Sequence, residues 1–590
     1  MKNFFKQVLA TVVGLIAFGA IVTFMGIISI VGMIASGDST PEVSNNSVMV
    51  LNLSGVIDEQ GQEDFLGTLT GNTMSNLGLD NMLSAIKKAK DNDKIKGIYI
   101  EAGILQAGYA TMQEIRNALL DFKKKGKWIV AYGDTYTQGT YYIASAADKV
   151  YLNPKGMIDW HGLGAQPQFY KDLMAKFGVR YQVVKVGTYK SFTETYTEDK
   201  MSDANRTQVS AYINGTWNNI CKAVSESRKI STDSLNAYAD RLITFEPAEN
   251  ILKYKMVDGL IYADQVKGEI KKMLKIGKDK KIKQIGLSEM ANIKDKKAKG
   301  DEIAVYYAYG SIVQSGAASV LSQEHSIVGP EVCKDLEDLM NDDDVKAVVV
   351  RINSGGGDAY ASEQLWHQMV ELKKKKPVVV SMGDYAASGA YYMSCPANWI
   401  VAQPNTLTGS IGIFAAIPDM SGLITQKLGV KFDEVKTNRN STFGNVMARP
   451  FNDEELDYLQ AYVNRGYQLF RQRVADGRRQ KTADIEKVAQ GRVWLGSDAL
   501  KIKLVDELGG LNQAVAKAAS LAKLKEYHTK NYPAMPSWTE QLMASAGRNN
   551  YLDEQLRLTL GDLYEPFVML RSMNEREVLQ ARIPFVLNIK

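Results

Sequence analysis

The stretch "KPVVVSMGDYAASGAYYMS", Lys376 to Ser394, reads as a strand, a short turn and a helix starting near Ser388. Its centre has a near-copy much earlier in the chain. There "GDTYTQGTYY", Gly133 to Tyr142, faces "GDYAASGAYY", Gly383 to Tyr392. The frames match, but Gln138 stands in the first copy where Ser388 stands in the second.

The repeat extends outward from this pair at a fixed offset of 250. "KIKGIYIEAGILQAG" (Lys94 to Gly108) faces "DVKAVVVRINSGGGD" (Asp344 to Asp358), and "ADKVYLNP" (Ala147 to Pro154) faces "ANWIVAQP" (Ala397 to Pro404). One residue further out of step, "VRYQVVK" (Val179 to Lys185) faces "VKFDEVK" (Val430 to Lys436). "TMQEIRNALLDFKKK" (Thr111 to Lys125) and "SEQLWHQMVELKKKK" (Ser362 to Lys376) carry apolar residues at helical spacing and basic last turns. Short apolar strands alternating with amphipathic helices predict an α/β fold with buried, mostly parallel pairing. The expected organisation is two such domains in tandem, residues 46–274 and 301–545. A Lys-rich linker, 275–300, joins them, and an extension, 546–590, has spacing compatible with a helix and a strand used in packing or assembly.

Composition narrows the function. The net charge of +5 is small for 590 residues and gives no case for nucleic acid as a partner. The three cysteines and four histidines are scattered, with no metal-ligand or disulfide spacing, so no metal site is expected. Gln7 to Ala35 carries no charged residue and is long enough to span a bilayer as a helix. A cleaved signal peptide is the alternative, although its apolar core is usually shorter. Lys2 and Lys6 precede the run while Asp38 and Glu42 follow it, which predicts a cytoplasmic N-terminus and a bulk on the periplasmic side.

The chemistry lies in what differs between the copies. "NSGGG" (Asn353 to Gly357) exposes backbone amides and permits close approach of another chain, and its counterpart is "GILQA" (Gly103 to Ala107). Ser388 taken alone reads as a helix cap. The first copy lacks both features yet keeps the frame, so neither is a requirement of folding. A serine nucleophile needs a base, and with histidine scarce lysine is the next candidate. "VGTYKS", Val186 to Ser191, sets Lys190 among small and polar residues, and the second copy has Ser441 opposite it. One site assembled from both halves follows. Its lysine must be neutral to act, which needs a fall of roughly 3 units from about 10.4.

In order along the chain, "VGTYKS", "RINSGGG", "AASGAYY" and "TLTGSIGIF" resemble the signal peptide peptidase A (protease IV) family in its long, duplicated form. The resemblance implies a Clp-protease/crotonase-like fold and a serine peptidase needing no cofactor. It implies Ser388 as nucleophile and Lys190 as general base, with oxyanion-hole amides from Gly356 or Gly357 and from Gly389. It places Ser410, and Ser191 beside the lysine, as supporting residues. Gly355 replaces the family's usual proline, which loosens the loop and leaves open which amide points inward. The implied substrates are signal peptides and other apolar peptides reached from the bilayer, and the implied assembly is a homotetramer. Two alternatives remain at this point: a membrane-anchored scaffold that has lost its chemistry, and an acyl-CoA enzyme of the same fold.

Overall fold

The computed structural model describes residues 42–61, 76–293, 300–315, 325–534 and 579–582. The expected anchor, Gln7 to Ala35, lies outside them. Among the described residues no helix is long and apolar enough to cross a membrane.

Valine-rich runs build the centre of each half. In the second half, Val348, Val349 and Val350 pair in parallel with Val378, Val379 and Val380, and all six are fully buried. A strand buried on both faces needs cover on both sides. Helices Gly329–Asn341 and Ala359–Lys375 cover one face, and helix Leu511–Leu521 covers the other. The sheet runs Val493–Leu495, Leu407–Gly409, Val378–Ala387, Val345–Ser354, Asp301–Tyr309, Tyr527–Tyr532, with Trp399–Ala402 beside the third of these. The first half repeats the design with Ser47–Asp58, Ile95–Gln106, Trp128–Tyr136 and Lys149–Ile158 in parallel order. The long helices Asp203–Arg228 and Asp453–Arg478 are capped by Ser202 and Asn452, the same pair of positions in the two copies.

The Lys-rich stretch expected as a linker is in part structural. Lys283–Gly286 pairs in parallel with the first strand, and helix Leu287–Ala291 packs beside it with Met290 buried. Tyr527–Tyr532 closes the second half the same way, against Asp301–Tyr309. Lys281 and Lys283 face solvent, so the charge that reads as a linker is the exposed side of a short edge strand.

A third sheet breaks the repeat and joins the halves. Its order is Ser326–Val328, Ser311–Val313, Gly356–Asp358, Leu579–Arg582, Ile413–Asp419, Arg180–Val186. The last strand belongs to the first half, yet Val186 pairs with Ile413 and Arg180 with Asp419, both of the second. The matching stretch of the second copy, around residues 430–436, forms no strand and is exposed.

A buried ion cluster fastens the two halves. Arg351, 1% exposed, donates from Nε to Glu59 Oε2 at 2.7 Å and lies 2.9 Å from Glu114 Oε2 through Nη2. Asn353 Nδ2 donates to Glu59 Oε1 at 2.8 Å. Nearby, Asp384 accepts from the backbone amides of Ala110 and Thr111 and from the Thr111 hydroxyl, at 2.9, 3.0 and 2.6 Å.

Candidate active site

Strand Val378–Ala387 ends directly at Ser388, and helix Gly389–Ser394 begins directly after it. There is no room for a relaxed turn, and Ser388 sits at φ 57°, ψ −116°. That region is strained for a residue with a Cβ, typically by about 1–3 kcal/mol. Ser388 does not cap the helix through its side chain. The first copy makes the contrast. Thr137 is the cap there, at an ordinary φ of −66°, and its hydroxyl accepts from the Thr140 amide. Gln138 takes the place of the serine and is tied up, its amide group bonding Tyr109 Oη, the Gly162 carbonyl and the amides of His161 and Gly162. The strained turn occurs only in the copy that has the serine.

Lys190 arrives from the other half. The strand Arg180–Val186, held against Ile413–Asp419, delivers the loop "GTYK" over Ser388. Lys190 Nζ lies 2.7 Å from Ser388 Oγ, 3.0 Å from Ser410 Oγ and 3.1 Å from the Ser410 carbonyl. Lys190, Ser388 and Ser410 are all fully buried. Among the described residues no ion pair involves Lys190, and burial alone pushes its ammonium well below the ordinary lysine value. The ring of Phe414 stands 6.0 Å from Nζ and lines the same pocket.

The remaining expected residues fall around this pair in unequal ways. The N–H of Gly389 is a first-turn donor with no partner inside its helix, beside the Ser388 hydroxyl. The Gly356 amide donates to Ser354 Oγ at 3.1 Å. Gly357 is a ladder residue opposite Ile312, and a Cβ there would meet the Ile312 carbonyl oxygen at 2.0 Å. The glycine run thus allows the close approach expected of it. Ser191 does not touch the serine; Gln208 Nε2 donates to its hydroxyl at 2.9 Å and to the Tyr189 carbonyl at 3.0 Å, which holds the lysine loop.

Two contributors are not among the expected site residues. The turn Gln490–Arg492 clamps the lysine loop and one partner of the lysine: the Gln490 carbonyl accepts from the Tyr189 amide, and the Arg492 carbonyl accepts from the Ser410 amide. Gly491, at φ 74°, lies where a Cβ would come within 2.7 Å of the Lys190 Cβ. Arg351 is the other, and the sequence does carry a signal for it. A lone charge inside "AVVVRINS", a run otherwise buried on both faces, requires a buried partner.

A serine hydroxyl at a strained strand-to-helix turn, a buried amine against it and a first-turn amide beside it are the parts a serine hydrolase site requires. The sequence profile of Peptidase family S49 matches residues 121–277 and 370–525, so it matches twice. The chain belongs to this family and is a serine peptidase acting on peptides. Protease 4 of Salmonella typhi is 36% identical over 524 residues, covering 86% of this chain and 83% of its own. The chloroplastic serine protease SPPA of Arabidopsis thaliana is 31% identical over 488 residues, covering 82% of this chain and 70% of its own. Among solved structures, a ClpP1 mutant from Listeria monocytogenes matches 36% of this chain and 94% of its own at 16% identity, with a TM-score of 0.24.

Proposed function

We propose that the chain is an endopeptidase with a Ser388–Lys190 dyad, each half of the repeat supplying one member. The observation that carries this reading is the 2.7 Å approach of Nζ to Oγ in a fully buried pocket. Neutral Lys190 takes the Ser388 proton as Oγ bonds to the substrate carbonyl carbon. The Gly389 amide, with the amide of Gly356 or Gly357, stabilises the oxyanion. The C–N bond breaks, Lys190 returns its proton to the leaving amine, and an acyl ester remains on Ser388. Water, deprotonated by Lys190, releases the acid and restores the hydroxyl. Ser410 orients the amine through its hydroxyl and carbonyl.

The substrates we infer are signal peptides left after secretion, and other apolar peptides. Supporting this, the ring of Phe414 stands 6.0 Å from the Lys190 amine, and its strand pairs through its main chain with an extended segment, Leu579–Arg582, the kind of pairing an extended peptide uses. The uncharged run Gln7 to Ala35 supports a single-pass anchor in the cytoplasmic membrane, with the catalytic part on the periplasmic side. A homotetramer is supported by an exposed apolar arm at residues 428–447, where Val435 is 97% exposed and Phe432, Phe443 and Met447 also face solvent. A serine-directed peptidyl phosphonate tests the dyad. Covalent mass mapping to Ser388, with labelling abolished in Lys190→Ala, is expected; labelling elsewhere would refute it.

A further inference from the structure

The peptidase site leaves the densest described run of lysine unused. Ala263 to Lys283 holds eight lysines against three acids, an excess of five that equals the net charge of all 590 residues. The positive character of the chain is therefore concentrated in one place, and packing turns it outward. Helix Ala263–Leu274 sets Val266, Ile270 and Leu274 against Val48 and Tyr132, while Lys267, Lys271 and Lys275 each follow one position later, on the neighbouring row. The turn beyond folds back on the helix, because the Lys271 amine bonds the Lys278 carbonyl. Lys278, Lys280 and Lys281 stand exposed on that turn. Among the described residues only Lys272 of this run has an ion pair, with Glu269 at 2.6 Å.

The same surface is where the chain enters its first strand. Asn46 Nδ2 donates to the Leu274 carbonyl at 3.3 Å, and the Ser47 amide donates to the Lys94 carbonyl at 2.9 Å. Ser47 also pairs in register with Lys283. The entry point thus lies between Lys94, the end of the lysine helix and Lys283. Asn46 follows Ala35, the last residue of the uncharged run, by eleven positions. Fully extended, such a stretch reaches no more than about 40 Å. With the uncharged run in a bilayer, the lysine surface is the part of the fold tethered nearest to lipid, and the tether lets it come within the roughly 10 Å over which charges act at 0.1 M salt.

We propose that this lysine surface docks on the anionic phospholipid headgroups of the membrane that holds the chain. The inference rests on the anchor reading above for its proximity to lipid. A single tether leaves the catalytic part free to rotate about it, and a second contact fixes that rotation. Once the anchor is in place the second contact is intramolecular, so several weak lysine–phosphate attractions suffice.

The test uses the full chain with a site-specific protease sequence inserted after Asp38, reconstituted into vesicles and followed by flotation. One set is neutral phosphatidylcholine, and the other carries about 30% phosphatidylglycerol, both in about 0.1 M salt. Before the cut the chain should float with both. After it, the released part should leave the neutral vesicles, stay on the anionic ones, and come off these in about 0.5 M salt. Lys278→Glu, Lys280→Glu and Lys281→Glu together should lower the retained fraction about tenfold, whereas arginine at the same three positions should keep it. Lys346→Glu, Lys374→Glu and Lys375→Glu, an equal loss of charge in the second half, should keep it too. Hydrolysis of a short peptide in detergent by the first Glu variant should match the wild type, which shows that it folds. Equal behaviour of the cut chain on the two vesicles overturns the proposal. So does retention that survives the first Glu variant or is lost equally in the second-half control. A chain that does not float with neutral vesicles before the cut means the anchor reading fails, while retention on anionic vesicles still reads the lysine surface by itself.

Discussion

Lys190 and Ser388 are 198 positions apart in sequence and 2.7 Å apart in space. Neither copy of the repeat contains both. The pair exists because a strand of the first half, Arg180–Val186, completes a sheet of the second, and because Arg351 and Asp384 bind the halves together through Glu59, Glu114 and Thr111.

Activity should rise with pH through a single limb that reports deprotonation of Lys190. Because burial pushes this amine well below the ordinary value of 10.5, the limb lies far to the acid side of a free lysine. Steady-state kcat/KM against pH measures it. Lys190→Arg, which cannot deprotonate in this range, should be inactive at every pH despite keeping a positive side chain.

Stability should depend on the same group in a calculable direction. The unfolded chain holds the Lys190 proton up to about 10.5, whereas the folded chain releases it at lower pH, so unfolding takes up a proton between the two values. Wild-type stability from this group rises with pH across that window. Lys190→Met removes the cost, and its stabilising effect should be greatest below the lowered value and fade toward about pH 10. Thermal melting of both chains across pH reads the difference; an effect that grows with pH would contradict the burial argument.

The turn at Ser388 stores strain that glycine would release. Ser388→Gly should raise stability by about 1 kcal/mol relative to Ser388→Ala, since only glycine is at ease at a positive φ of 57°. Both variants lose the hydroxyl, so denaturant titration of the pair isolates the backbone contribution.

Arg351→Met leaves two carboxylates, Glu59 and Glu114, buried without a cation. A loss of about 3–5 kcal/mol is expected. The triple change Glu59→Leu, Glu114→Leu, Arg351→Met should recover most of it, because no charge then remains buried. Urea denaturation compares the two.

Much of this architecture is legible in the amino-acid sequence. The repeat exposes paired strands and helices because each copy must bury the same faces, and the loss of Ser388 and the glycine run from one copy separates chemistry from folding. Ser388, Lys190 and Ser410 meet as their motifs imply. Other features are hidden for physical reasons. Glu59 and Glu114 lie in segments whose partners come from the other half, and nothing local marks them as buried. Gln490–Arg492 acts through carbonyl groups, which every residue has. The Leu579–Arg582 strand pairs through its main chain, so its place in the joining sheet leaves no motif.

The most direct test is hydrolysis of an apolar fluorogenic peptide by the full-length chain in detergent, beside Ser388→Ala and Lys190→Ala. The dyad predicts turnover by the wild type and a loss of at least about a hundredfold in kcat for each variant, with melting behaviour showing that both fold. Full activity in Lys190→Ala would contradict it, and the base for Ser388 would have to be another group.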